Sequence, residues 1–403
     1  MNIRLNSAAQ RATVLSAVPA LAKEIGRNAA ERELARILPY DGFALFRESG
    51  LGRLRIPAEY GGLGGSLEDL FEIVMTLAAE ESNVAHALRA HFDTTEWLYV
   101  SAPAPFLERQ IDRIVGGALF GGGSTERGTA KPGQVTTQLV RDGTHFRLSG
   151  KKYYTTGTAF SDFVRFNVLD ENGTAASVIL PRDRDGIEVV DDWDGMGQRM
   201  TASGTTVLTN VIVYPEEVWA RGYTTLAGRH GGALRQLHLV ATAAGIVRRI
   251  VSDAEDYVLH HGRAALHSAA ALAREDAFIQ QVIGELGAHR HAIDALVREN
   301  ARALGVSAEA IRHNAPDAEA LVLQSALATA RTQLIVSKLA LHAGERLFEA
   351  GGASATSRIY NFDRHWRNLR TLFSHNPLSH KARVLGDYAL NGTTTHLIEG
   401  RVF

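Results

Sequence analysis

The chain has 403 residues, of which 45% are hydrophobic and 22% charged, with a formal net charge of −1 and no cysteine. Such a length exceeds what one hydrophobic core holds comfortably, so two or three domains are expected, with the balance of a globular protein. The near-zero charge excludes a global field for nucleic acid or an acidic membrane, and the missing thiols exclude disulfides, thiolate zinc sites, iron–sulfur clusters and a cysteine nucleophile.

No run of 18 apolar residues occurs, so no membrane span is expected. Near the start, "VLSAVPALA" is short, contains Pro19 and continues into "KEIGRNAAERELARIL". It reads as the first helix of a cytoplasmic protein rather than a signal segment. "IPAEYGGLGG" is a Pro/Gly-rich loop. In "SLEDLFEIVMTLAAEE", Leu67, Leu70, Phe71, Val74, Leu77 and Ala78 recur at helical spacing, with Ser66 at the N-cap and Asp69 in the first turn. "NVAHALRAHFDTTEWLYV" reads as a further helix. Residues 1–115 are therefore expected to form an α-helical domain.

From Gly116 the pattern changes to Val, Thr, Tyr and Phe alternating between turn signals. "QVTTQLVRDGTHFRLSG" is a hairpin turning at Asp142 and Gly143, and "DFVRFNVLDENGTAASVILP" a second, turning at Asn172 and Gly173. "TTVLTNVIVYP" is another strand. Residues 116–225 are expected to form a small antiparallel barrel or sandwich. Residues 226–403 return to long, Ala-rich helical patterns, the third ending at Gly351 and Gly352 and a fourth closed by Asn391 and Gly392. They predict a four-helix bundle.

Dinucleotide, P-loop, zincin and serine-hydrolase motifs are absent. His86 and His91 are five apart, about 140° round a helix, and do not share one ion. His260, His261 and His267 lack a carboxylate in ligand register, so no metal site is expected. Two segments are candidates for a planar ligand. In "GGALFGGGSTERGTAKPGQ", Gly121 to Gly123 would let a ring approach the backbone, beside the hydroxyls of Ser124 and Thr125; a bulged strand entry explains it equally. In "GKKYYTTGTAFSDF", Thr155 and Thr156 offer hydroxyls and N–H groups before Gly157; an ordinary strand is the other reading. Near the end, "RHWRNLRTLFSHNPLSHK" gathers cations and imidazoles without one carboxylate.

In their order, these segments resemble the acyl-CoA dehydrogenase fold over nearly the whole chain. "IPAEYGGLGG", "GGGSTERG", "KKYYTTG", "DDWDGMGQRMTASGTTVLTNVIV" and "FDRHWRNLRT" carry the resemblance. It implies an α+β multidomain protein with an N-terminal α-helical domain, a central antiparallel β-barrel or sandwich and a C-terminal four-helix bundle. That fold hosts two chemistries. Its dehydrogenases need a carboxylate base over the flavin, taken from the turn before the final helix or from the first long helix of the bundle. Here neither residues 365–381 nor residues 220–252 contain an Asp or Glu. The chain therefore resembles the other branch, the two-component flavin monooxygenases of the dibenzothiophene monooxygenase type. These take reduced flavin from a separate NAD(P)H:flavin reductase, react it with O2 to a C4a-hydroperoxide, and oxidise sulfur or nitrogen in a small, largely apolar molecule.

The resemblance also implies roles. His86, His375 and Thr156 form the catalytic set, with His375 donating to or positioning the bound oxygen and Thr156 ordering the flavin edge. Gly123, Ser124, Thr125, Thr155, Thr156, Trp193, Gly352 and Arg370 are expected to hold the cofactor, reduced FMN or FAD with FMN preferred. Arg263 is expected to reach its phosphate from a neighbouring subunit of a homotetramer. His91 is expected in the core or against the substrate. Arg364, Arg367 and Arg370 tie the last loop down or neutralise phosphate. Gly122, Ser354 and Leu372 depart from that family, which has asparagine, arginine and histidine there. A dehydrogenase with a displaced base, or a non-catalytic flavin- or CoA-binding scaffold, are the alternatives.

Overall fold

The computed structural model describes residues 2–101, 104–131, 133–219 and 224–398. The N-terminal pattern expected to be one helix is two, α1 (Asn2–Ile25) and α2 (Ala29–Ala35). Gly26 stands between them, where a Cβ would lie 2.6 Å from that of Glu80, and Asn28 turns the chain at φ +57°. α3 (Tyr40–Glu48) follows, then α4 (Leu67–Glu80), whose start is fixed as anticipated: Ser66 and Asp69 cap each other reciprocally.

The next helical pattern is also interrupted. α5 (Ser82–Ala87) and α6 (Arg89–Val100) meet at Leu88, and α7 (Pro105–Val115) completes the N-terminal helices. Every residue of α5 is buried.

Eight strands follow: β1 (Phe120–Gly123), β2 (Gln138–Asp142), β3 (His145–Lys152), β4 (Phe163–Leu169), β5 (Ala175–Pro181), β6 (Ile187–Val189), β7 (Thr206–Val213) and β8 (Val218–Trp219). Both hairpins form where expected, β2 with β3 around Gly143 and β4 with β5 around Gly173, each glycine at positive φ. The sheet order is β6-β7-β3-β2-β4-β5-β8, with β1 beside β4. It is mixed rather than antiparallel throughout, because β1 and β2 both run parallel to β4 along one edge. Leu139, Leu148, Val164, Phe166, Val178 and Val211 fill its interior.

Three long helices come next, α8 (Leu226–His260), α9 (Ala277–Arg312) and α10 (Ala318–Gly351), then α11 (Asp363–Leu372), α12 (Leu378–Asn391) and α13 (Thr395–Ile398). α8, α9 and α10 pack on one another, α4 lies against α8 and α9, and α12 runs along α10. One apolar core joins the N-terminal helices to the bundle, from Phe71 and Val74 to Leu237, Val240 and Leu347. It grips α5 between α4 and α8, and so fixes the frame in which the polar cluster below is set.

Candidate active site

His86 lies in the last turn of α5, and Arg89 opens α6 just past the break at Leu88. The His86 ring is buried. Its Nδ1 is 3.0 Å from Oε1 of Gln198, whose amide nitrogen donates to Ser82 Oγ at 3.0 Å. With the amide oxygen toward the ring, the ring nitrogen that faces it is the donor. Nδ1 must therefore carry the proton, and Nε2 keeps a lone pair. Nε2 is buried and has no hydrogen-bond partner among the described residues. Burial first, then the Arg89 charge, holds the ring's pKa well below its ordinary 6.5, so it is neutral.

Gln198 occupies the left-handed region at φ +50°. Its N–H donates to Asn368 Oδ1 at 2.6 Å, and its carbonyl accepts from Trp193 Nε1 at 2.8 Å and Thr201 Oγ1 at 2.9 Å. A Cβ on the preceding Gly197 would lie 2.1 Å from the Arg367 carbonyl oxygen, so this segment is pressed against α11. From Thr201 a chain of hydroxyls runs outward, Ser203 at 2.6 Å and then Thr156 at 2.7 Å from Ser203. Each hydroxyl has one proton. Thr201 gives its proton to the carbonyl, Ser203 to Thr201, and Thr156 to Ser203. The order leaves Oγ1 of Thr156 with lone pairs only.

Gly157 brings that hydroxyl to the end of α5: at φ +79°, a Cβ there would lie 2.3 Å from the Ala87 carbonyl oxygen. Thr155, one residue earlier, points the other way. It is buried, its N–H and hydroxyl both donate to the Gly204 carbonyl, and Thr206 donates to its oxygen. Thr155 thus ties its strand end to Gly204 and Thr206.

His375 sits in the turn between α11 and α12. An Arg89 Nη2 donates to its Nε2 at 3.2 Å, and its Nδ1 lies 3.1 Å from Asn376 Oδ1. The ring is open to solvent on one face, yet the protein mass around the rest, followed by the Arg89 charge, pushes its pKa down to about 3. It is a neutral ring accepting at Nε2. His86 and His375 lie close enough to lower the same proton affinity, with Arg89 acting on both. Behind them, His238 bonds the Ala85 carbonyl at 2.8 Å, and buried Lys381 has its pKa lowered by burial to about 7. Asp93 on α6 is taken by Arg165 at 2.6 Å and Arg235 at 2.9 Å.

Other expected residues fall differently. Trp193 belongs to the frame, covering Gly195 and meeting Tyr154 edge-on at 6.0 Å. At Gly121 and Gly123 the space for a Cβ is filled by Thr158 and Ser161, and by the Phe166 ring at 2.7 Å, so these glycines answer to internal packing rather than to a ring laid on the backbone. Ser124 is exposed and Thr125 pairs with Tyr153. His91 is a buried core link: Nε2 donates to the Gly52 carbonyl at 2.8 Å and Nδ1 accepts from the Phe120 N–H at 3.3 Å. Arg370 bonds Ser374 Oγ and the Phe373 carbonyl, closing its own helix instead of reaching a cofactor. Arg364 and Arg367 are likewise structural, on Asp253 and on buried Glu33. Arg263 and Gly352 share a groove with Tyr257 and Tyr360. At the rise of an α-helix, Tyr257 is roughly 28 Å along α8 from His238, so that groove is remote from the two histidines within one chain.

Sequence reasoning missed Gln198, Arg89 and the Ser203–Thr201 relay. Their partners are distant in sequence, and only the run of small polar residues in "GQRMTASGTT" signalled a turn-rich segment.

Residues 7–102 match the family described as acyl-CoA dehydrogenase, N-terminal domain, and residues 237–380 match acyl-CoA dehydrogenase, C-terminal domain. A dibenzothiophene monooxygenase of Mycolicibacterium goodii is 29% identical over 363 residues, covering 86% of each chain. A probable FMNH2-dependent monooxygenase, SfnC, of Pseudomonas putida is 29% identical over 375 residues, covering 92% of this chain and 93% of its own. The crystal structure of FMN-bound TdsC from Paenibacillus sp. A11-2 superposes with a TM-score of 0.87 at 27% identity, over 94% of this chain and 98% of that one.

Proposed function

The chain belongs to the acyl-CoA dehydrogenase family, and within it we propose a reduced-FMN-dependent monooxygenase that oxidises sulfur or nitrogen in a small, largely apolar molecule. Reduced FMN, when bound, supplies the electrons that activate O2 and carries the transferred oxygen. It arrives from a separate NAD(P)H:flavin reductase.

One observation carries this reading. Two lone pairs lie at the end of α5: Nε2 of His86 in its last turn, and Oγ1 of Thr156 beside Gly157, which packs on the Ala87 carbonyl. An isoalloxazine gains an N–H donor at N5 on reduction and presents only an acceptor there when oxidised. The acceptor pair fits the reduced ring. Thr156 and His86 would orient its N–H edge, and Trp193 would close one side. His375, neutral and held by Arg89, would position the oxygen and the substrate.

The same residues speak against a displaced dehydrogenase base. Asp93 is neutralised by two arginines. Asp253, just beyond the acid-free stretch of α8, is gripped by His365 and Arg249 at 2.7 Å each, which hold its carboxyl down at about 2. The remote groove of Arg263 and Gly352 supports a phosphate contact to a neighbouring subunit, and with it a homotetramer.

The test supplies FMN, NADH, a flavin reductase and 18O-labelled O2 with dibenzothiophene and methyl phenyl sulfide. Labelled sulfoxide is expected. Unlabelled product, or bleaching of bound oxidised FMN by an acyl-CoA without O2, would overturn the reading.

A further inference from the structure

Arg89 stands three residues after His86, across the break at Leu88, and reaches His375 on the opposite wall at 3.2 Å. A neutral imidazole does not balance a guanidinium. Arg89 forms no ion pair among the described residues. The first carboxylate after it on α6, Asp93, already holds Arg165 at 2.6 Å and Arg235 at 2.9 Å. The other titratable groups acting on the two histidines are His238, Lys381 and Arg235, all cationic or neutral. This wall therefore carries surplus positive charge beside the position where oxidation is proposed.

The guanidinium is half-buried, and burial, then Arg235, lowers its pKa to about 10 against the opposing charge of Asp93, so it remains charged at neutral pH. Keeping such a group where protein displaces its water is unfavourable unless an anion completes it. One of its five N–H donors goes to His375; the rest of the planar fork suits a carboxylate held by two parallel bonds.

We propose that the otherwise apolar substrate carries a carboxylate that pairs with Arg89 and sets the neighbouring heteroatom beside His86 and His375. The position of that heteroatom rests on the monooxygenase reading; the anion's binding does not. A reduced flavin is itself an anion and a second source of the same charge, so the test separates the two.

The full chain loaded with oxidised FMN is titrated calorimetrically with (methylthio)acetate and with its neutral counterpart, ethyl methyl sulfide. The acid should bind about ten-fold tighter or better in the unaltered protein. Arg89→Met should weaken the acid by about ten-fold or more while FMN affinity changes less than about two-fold. Arg89→Gln, which keeps N–H donors without the charge, should do the same and stands in if the methionine variant does not fold. Equal binding of acid and sulfide, an unchanged acid affinity in both folded variants, or a loss confined to FMN would overturn the proposal. Sulfoxide formation with reductase and NADH is read separately. Acid that binds through Arg89 without being oxidised would leave the anion site standing and count against the monooxygenase reading.

Discussion

Nδ1 of His86 lies 3.0 Å from Oε1 of Gln198, and this contact decides which ring nitrogen meets a ligand. Gln198→Leu removes the acceptor and leaves a buried N–H unpaired, at a cost of about 1–3 kcal/mol. Urea unfolding should register that loss. Freed of its partner, the ring no longer keeps Nε2 unprotonated and aimed, so product formed per O2 consumed should fall and hydrogen peroxide should rise. Unaltered coupling in a destabilised variant would make Gln198 purely structural.

Thr156 ends a hydroxyl relay whose proton order leaves it an acceptor. Thr156→Val keeps the shape and removes both the relay's last donor and the free lone pairs. Coupling should fall by about ten-fold, the worth of one or two hydrogen bonds, whereas Thr156→Ser should retain most of it. The serine variant behaving like the valine variant would contradict this.

His375→Ala should lower substrate oxidation by about 10²-fold, the order lost when the reacting centre is misplaced, while FMN still binds. Oxidised FMN affinity and product formation, measured on the same preparation, check this. Full turnover would remove His375 from the mechanism.

His91 and His238 are buried, and burial lowers each pKa from 6.5 to about 4. The unfolded chain protonates these rings at a higher pH than the folded one does. Their neutral burial is therefore fully tolerated above pH 6.5, and stability is lost as pH falls from 6.5 toward about 4. Each ring contributes a slope of about 1.4 kcal/mol per pH unit in that window. His91→Gln can still meet the Gly52 carbonyl and the Phe120 N–H, and should remove its share of the slope in urea titrations at stepped pH. A slope identical to that of the unaltered chain would contradict the assignment.

Local signals were legible where local physics decides. The Ser66–Asp69 cap, the turns at Gly143 and Gly173, and the ends of α10 and α12 follow from residues a few positions apart. The parallel edge of the sheet did not, because β1 and β2 join β4 through contacts that turn chemistry does not encode. The break between α1 and α2 depends on Glu80, far along the chain, filling the space beside Gly26. At the site, His86, His375 and Thr156 emerged from the resemblance, and of these His375 acts electrostatically on His86. Thr155 and Thr156 look alike in sequence, yet one faces Gly204 inside and the other the relay. Gln198 was invisible because its φ of +50° and its partners Ser82, His86 and Asn368 are set by tertiary packing.

The affinity of the unaltered chain for reduced against oxidised FMN, titrated without oxygen in the first case, asks directly what the lone pairs of His86 and Thr156 receive. Two unprotonated acceptors at the ring edge should favour the reduced form by about ten-fold or more, near 1.4 kcal/mol, with Thr156→Val narrowing the gap. Equal affinity, or tighter binding of oxidised FMN, would mean that those lone pairs do not face the flavin.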